Sequence, residues 1–295
     1  MKHMLFILFL IVIVFLLARY AAAPFTRIQN KKSFVQKVVP LEIIAHRGGS
    51  FEAPENTILA FENAVKLGVQ AIETDIHTTK DGVLVLFHDH ILERTTNGKG
   101  LLKDKTWAEL EKLDAGFYFS QDNGKTFPFR GKGIKIPRVK EALDKFQNIK
   151  WILEIKNEDA DYQEQLLTLV KERNLLHQVC FSSNFKNVVE RVRILEPRVA
   201  TNAAEKEIKN IITFYYLWLL PFYKPRASAV QVPLRHENLT IVTPRWVAAM
   251  QERGFVVQVW TINEESEMRE LISMGVDGII TDRPTLLKSL LERGF

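Results

Sequence analysis

One cysteine, Cys180, stands in 295 residues, which excludes an intramolecular disulfide framework and a cysteine-based zinc site. No internal repeat, low-complexity tract or Pro/Gly-rich linker divides residues 41–295, so they read as one domain. Acidic residues are missing altogether from positions 1–40, which hold Lys2, Arg19, Arg27, Lys31, Lys32 and Lys37. That absence explains the net charge of +5: the 40 Lys and Arg less these six leave 34, against 35 Asp and Glu. The basicity therefore belongs to the N-terminal stretch, and the body of the chain lacks the charge of a nucleic-acid-binding surface. With 46% hydrophobic and 25% charged residues, the composition excludes wholesale disorder and a polytopic membrane protein.

What is present begins with an apolar run, Met4 to Ala18, without a polar or charged side chain. Extended through Arg19, which can snorkel, and Tyr20 to Phe25, it approaches the ~20 residues of a membrane span. A secretory signal peptide with a cleavage site at Ala21-Ala22-Ala23 is the rival, but Arg19 between the run and that site is unusual for one. The flank after the run is the more basic, so a transmembrane anchor over residues 1–25 would leave the following domain cytoplasmic. Residues 26–40 then read as a basic juxtamembrane linker attracted to anionic headgroups of the lipid bilayer.

From residue 41 onward, short β-rich runs alternate with amphipathic helical stretches. Strands are predicted at Leu41–Ala45, Ala71–Asp75, Val83–Phe87, Trp151–Ile155, Gln178–Ser182, Val199–Thr201, Ala229–Val232, Val256–Trp260 and Gly278–Thr281. Only a short turn ending in Lys80-Asp81-Gly82 joins the second to the third. A parallel crossover needs a dozen or more residues, so these two form a hairpin. The remaining eight strands, with helices between them, predict an α/β fold of the TIM (β/α)8 barrel type. An open doubly wound sheet is the alternative, and no Gly-rich phosphate loop after the first strand supports it.

Strand ends carry polar residues that a buried β-run should not. Glu73 and Asp75, at i and i+2, face the same side of one strand, and Glu154 on a later strand can meet them at the C-terminal mouth. Three carboxylates together repel unless a cation joins them, and an all-oxygen donor set favours Mg2+ or Ca2+. The competing reading is an ion-pair network closed by Lys156 and Arg47. His46 ends the first strand and His88 closes the hairpin. Two imidazoles, two cations and a metal make a constellation for phosphoryl transfer, one histidine removing a proton and the other delivering one. His3, His77, His90, His177 and His236 carry no such placement and read as structural.

The segments His46-Arg47-Gly48-Gly49, Pro54-Glu55-Asn56-Thr57, Glu73-Thr74-Asp75, Lys80-Asp81-Gly82, His88-Asp89 and Arg94-Thr95-Thr96-Asn97-Gly98 resemble the signature of glycerophosphodiester phosphodiesterases. Leu153-Glu154-Ile155-Lys156, Trp260-Thr261-Ile262-Asn263 and Ile280-Thr281-Asp282-Arg283-Pro284 continue the likeness over residues 43–290. The resemblance implies a TIM barrel with Glu73, Asp75 and Glu154 on the metal and His46 and His88 as the acid–base pair. It implies further that Arg47 and Lys156 bind phosphate, that Trp260 packs against substrate, and that residues 89–138 form a small insertion.

Ile211–Tyr223 is uncharged throughout and rich in aromatics. It is expected either to pack on the barrel's outer wall or, as the favoured reading, to emerge at the catalytic mouth and dip into a membrane interface. Together with an N-terminal anchor this is similar to the membrane-bound branch of the family, whose members act as lysophospholipase D. The expected activity is hydrolysis of glycerophosphodiesters or lysophospholipids to glycerol 3-phosphate or lysophosphatidic acid plus an alcohol. The rivals are a phospholipase C or sphingomyelinase D type barrel that stops at a cyclic phosphate, and a lipid-binding barrel without catalysis. No protein partner is required by any of these motifs.

Overall fold

The computed structural model describes residues 2–22, 34, 41–158, 160–224, 226–237 and 239–294. In chain order the first half runs α1 (Lys2–Ala22), β1 (Glu42–His46), α2 (Ile58–Leu67), β2 (Ala71–Thr78), β3 (Leu84–Leu86), α3 (Trp107–Leu110), α4 (Val139–Lys145), β4 (Lys150–Ile155) and α5 (Ala160–Glu172). The second half continues with β5 (Val179–Ser182), α6 (Lys186–Leu195), β6 (Ala200–Thr201), α7 (Glu205–Tyr216), β7 (Ala229–Pro233), β8 (Arg235–His236), β9 (Leu239–Thr240), α8 (Pro244–Glu252), β10 (Val256–Trp260), α9 (Glu265–Met274), β11 (Gly278–Thr281) and α10 (Pro284–Arg293).

Local chemistry sets several of these boundaries. Thr57 caps α2 by accepting from the Ala60 amide at 3.2 Å, and Gly68 ends it in the left-handed conformation at φ 85°. Thr243 caps α8 in the same way, with Pro244 in its first turn. Each helix lays an apolar stripe on the sheet, and the interlayer core includes Trp151, whose ring meets Phe61 edge to face at 5.3 Å.

The main strands follow the order β6-β5-β4-β2-β1-β11-β10-β7 and pair in parallel. A single parallel bridge, Asn202 to Ala229, brings β6 against β7 and all but closes the ring. This is an eight-stranded parallel barrel of the TIM type. β3 lies antiparallel on β2, Ile76 opposite Leu86, so the short turn does make a hairpin. The ribbon of β8 and β9 was not expected from the sequence. Residues 89–138 leave the hairpin and return with a small core of their own, in which Leu92, Leu102, Leu110, Ala115 and Ile136 pack on Val85 and Phe87.

At the N-terminal end of the barrel, Phe34 plugs the interior against Ile44, Ala71, Ile152, Cys180, Ala200 and Ile280. Lys150, at the start of β4, donates to the Phe34 carbonyl at 3.0 Å and to Glu42 Oε1 at 2.6 Å. The rest of the expected linker at 26–40 lies outside the described residues.

Two expectations need amending. The apolar run at 211–223 does not rim the mouth. Glu205 and Ile208 of α7 line the catalytic cavity, and the twelve-residue helix then carries the chain about 18 Å to the opposite end. There the run meets the turn before β10, where Arg253 donates to the Tyr223 carbonyl. Ile211 is buried and Ile212, Phe214 and Tyr215 pack on the wall, while Tyr216, Leu217, Trp218 and Phe222 are exposed. An apolar run reports that a surface is covered, not which end of a barrel it lies on.

The other concerns the span at 1–25. Residues 2–22 form the helix α1, and the Phe15 and Phe222 rings lie 6.4 Å apart. Side chains at 2, 3, 8 and 16–22 are outside the described set, and among the described residues no helix is long and apolar enough to cross a membrane. The transmembrane expectation therefore has no support from the fold.

Candidate active site

The site is built at the C-terminal ends of β1, β2 and β4, where the inter-strand register sets its neighbours. His46 lies opposite Glu73 and Asp75 opposite Glu154. One oxygen from each of Glu73, Asp75 and Glu154 falls within 4.8 Å of the others. The turn after β1 runs through three successive left-handed residues, Arg47 (φ 52°), Gly48 (φ 85°) and Gly49 (φ 97°). Gly48 is needed both for that conformation and for space, because a Cβ there would lie 2.8 Å from Ala60 Cβ. The turn aims the Arg47 amide at Glu73 Oε2 (3.0 Å) and its guanidinium at Asp75 (3.4 Å) and Glu55 (3.0 Å).

A cavity of about 320 Å3 opens over this cluster. His46, Arg47, Glu73, His88, Glu154, Lys156 and Trp260 line it, with Asp75 immediately behind, buried. All eight residues singled out from the sequence are thus gathered in one place. Trp260 ends β10 and is 41% exposed, an aromatic face standing free at the rim.

The charges are tightly linked. Lys156 Nζ stands 2.9 Å from both Asp75 Oδ1 and Glu154 Oε1. Burial, and then the neighbouring Asp75 charge, push Glu73 up to about 7. Burial acts in the same direction on Asp75, but the Lys156 and Arg47 charges outweigh it and its pKa is lowered. Asp75 also accepts from Asn56 Nδ2 at 2.9 Å. Its Oδ1, although close to Lys156, receives no hydrogen bond of proper geometry. Three carboxylates converging in one cluster, with no soft ligand among them, are the donor set of a hard divalent cation.

Each site histidine is held by an aspartate that the sequence reading left without a role. His46 Nδ1 lies 2.6 Å from Asp282 Oδ1, at the end of β11. Asp282 is fixed in turn by Asn263 Nδ2 at 2.6 Å and by the Ser50 hydroxyl. The arrangement turns His46 Nε2 toward Glu73 Oε2, 3.8 Å away. Desolvation lowers the His46 pKa, but the Asp282 hydrogen bond and the Glu73 charge prevail and raise it. Against the cost of burial, bonds from His46, Ser50 and Asn263 hold Asp282 down to about 2. His88 repeats the design, its Nδ1 2.6 Å from Asp89 Oδ1. Arg94 grips Asp89 from behind and also bridges Glu55 with two 2.7 Å bonds, tying the second imidazole back to Arg47. The signal for Asp282 was available, since an aspartate directly after a barrel strand faces the catalytic mouth. Its bond to a residue 236 positions away was not.

Comparison with known proteins gives the family. Residues 46–286 match the glycerophosphoryl diester phosphodiesterase family, and the chain belongs to it. It is a phosphoric diester hydrolase. A glycerophosphodiester phosphodiesterase of Bacillus subtilis is 32% identical over 85% of this chain and 86% of its own length. The lysophospholipase D of Homo sapiens is 28% identical over 94% of this chain and 92% of its own. A phosphodiesterase of Oleispira antarctica, solved with the product sn-glycerol-3-phosphate, is 25% identical with a TM-score of 0.66, covering 85% of this chain and 96% of that one.

Proposed function

We propose that this cavity hydrolyses glycerophosphodiesters to glycerol 3-phosphate and an alcohol. The observation that carries the reading is the pair of aspartate-held imidazoles, His46–Asp282 and His88–Asp89, facing one carboxylate cluster. One imidazole takes the proton of the attacking oxygen, either water directly or the neighbouring glycerol hydroxyl, in which case water then opens the resulting cyclic phosphate to glycerol 3-phosphate. The other protonates the departing alkoxide as its P–O bond breaks. Arg47 and Lys156 supply positive charge to the phosphoryl oxygens, and Trp260 packs on the glycerol or alcohol portion. Glu73, Asp75 and Glu154 would hold Mg2+ or Ca2+, which when bound adds positive charge beside the phosphoryl group.

Lysophospholipids form the second substrate class, supported by the likeness to the human lysophospholipase D over nearly the whole chain. Apolar α1 and the basic stretch after it support association with a membrane, with the barrel on the cytoplasmic side.

The test is a panel of glycerophosphodiesters and lysophospholipids, assayed with and without chelator, with products resolved by phosphorus NMR. Chelation should abolish turnover and Mg2+ or Ca2+ restore it, while His46→Ala and His88→Ala should each lower kcat by about 10²-fold or more. Full turnover after exhaustive chelation refutes the metal, and a cyclic phosphate as sole product refutes hydrolysis. No turnover of any substrate leaves the non-catalytic barrel.

A further inference from the structure

The outer wall of the barrel carries a second cavity, of about 350 Å3, between the C-terminal part of α7 with its following loop and α8, along which it runs from Arg245 in the first turn to Arg253 past the last. Tyr215, Tyr216, Trp218 and Leu220 form its apolar walls, and Arg245 and Arg253 its cationic ones. Glu252, exposed to solvent, also lines it.

Arg253 is only 7% exposed. It donates Nη2 to the Tyr223 carbonyl, its Nε has no acceptor, and among the described residues no carboxylate pairs with it. A guanidinium buried this deeply is ordinarily paired. The same barrel supplies the comparison, since Arg193, also 7% exposed, is gripped by Glu207 at 2.7 and 3.0 Å. Arg253 is thus a buried cation facing a cavity without its anion. The Arg245 guanidinium lies 6.0 Å over the Trp218 ring. Trp218 itself is held at φ 60°, a conformation disfavoured for so bulky a residue.

Two arginines with aromatic walls suit an anion that carries an apolar body, because Arg matches phosphate oxygens and Tyr and Trp sit where lipid meets water. The exposed surroundings are apolar in keeping: Leu217 and Phe222 flank the cavity, and α1 adjoins Phe222. We propose that this cavity binds the phosphate headgroup of an anionic phospholipid in a bilayer, seating this flank of the barrel wall on the membrane. The inference extends the membrane association proposed above, and it is independent of the catalytic reading.

The experiment uses the full chain and short-chain dihexanoyl phosphatidic acid, read by tryptophan fluorescence with saturating glycerol 3-phosphate filling the catalytic cavity. Saturable binding is expected, weakened about tenfold or more in Arg253→Gln and in Arg245→Gln through loss of a charge-assisted bond. The control Lys31→Gln/Lys32→Gln should bind as the parent does. Should Arg253→Gln fail to fold, Arg245→Gln carries the fluorescence test and Trp218→Ala the vesicle sedimentation. All these variants should hydrolyse glycerophosphocholine normally. In sedimentation, phosphatidylcholine vesicles report the helix, and the increment on adding phosphatidic acid reports the cavity. Loss of the increment alone in the arginine variants supports the site. Absent binding, inorganic phosphate binding as tightly as the lipid, or variants that bind as the parent does would each overturn it.

Discussion

Replacing Asp282 with Asn separates the role of orienting His46 from that of merely filling space. The side chain keeps its shape but loses the charge that faces Nδ1 at 2.6 Å, and one of its two oxygens, which accept from Ser50 and from Asn263, becomes a donor. In the native site those partners hold Asp282 at about 2 against an ordinary 3.8. At ~1.4 kcal/mol per tenfold change this corresponds to about 2.5 kcal/mol, or about 2 after discounting the one-fifth of the side chain that solvent reaches. Part of that coupling is with His46, whose pKa is raised by the same bond. Without it desolvation dominates, so the His46 pKa falls, and the limb of the pH–rate profile that reports it should move to lower pH. The direction holds whether His46 acts as base, shifting the acid limb, or as acid, shifting the alkaline one. A wrong tautomer at Nε2 should also lower kcat by about 10²-fold or more, as loss of general acid–base catalysis does. The assay is kcat against pH with glycerophosphocholine, beside a thermal melt. Reduced kcat with an unmoved limb would refute orientation through the Asp282 charge.

Gly48→Ala should destabilise the fold by about 2–5 kcal/mol, combining left-handed backbone strain with overpacking against Ala60 and Phe61; urea unfolding measures it, and a change near zero would show that the turn relaxes freely. Phe34→Ala should cost about 3–5 kcal/mol in the same assay by opening a void at the base of the barrel, 2% exposed in the native chain. An unchanged midpoint would mean that residue 34 does not contribute to the folded barrel.

The barrel was legible because its signals are local. Each strand from Leu41 to Thr281 was a short β-rich run between turn residues, and the hairpin followed from the few residues between Asp75 and Val83. The carboxylate cluster was legible because period-two geometry puts Glu73 and Asp75 on one face. What stayed hidden was set by distance or direction. The pairing of His46 with Asp282 depends on β11 closing against β1, and Phe34 looked like one more residue of a basic linker until the barrel closed above it. Ile211–Tyr223 announced a surface, yet its end of the barrel is fixed by α7, the outer-wall helix that the sequence offered only as the less favoured reading. The first residues of α7 line the catalytic cavity, so its twelve residues necessarily end at the far side.

That displacement bears on substrate preference. If the flank carrying Ile211–Tyr223 sits on lipid, a lysophospholipid whose phosphate reaches Glu73 must withdraw its acyl chain from the bilayer, since the apolar surface lies about 18 Å below the mouth. Withdrawal costs about 0.8 kcal/mol per methylene, hence about 12 kcal/mol for a sixteen-carbon chain. Trp260 at the rim can recover only about 1.5–3 kcal/mol of that by covering part of the chain. A glycerophosphodiester without an acyl chain meets no such barrier. Turnover of lysophospholipid should therefore follow its free monomer concentration and fall when phosphatidylcholine vesicles are added to sequester it, while glycerophosphocholine hydrolysis stays constant. Initial rates over a vesicle titration decide the point. A lysophospholipid rate that rises with vesicle concentration would mean that the mouth faces the membrane, and the orientation argued from α7 would be wrong.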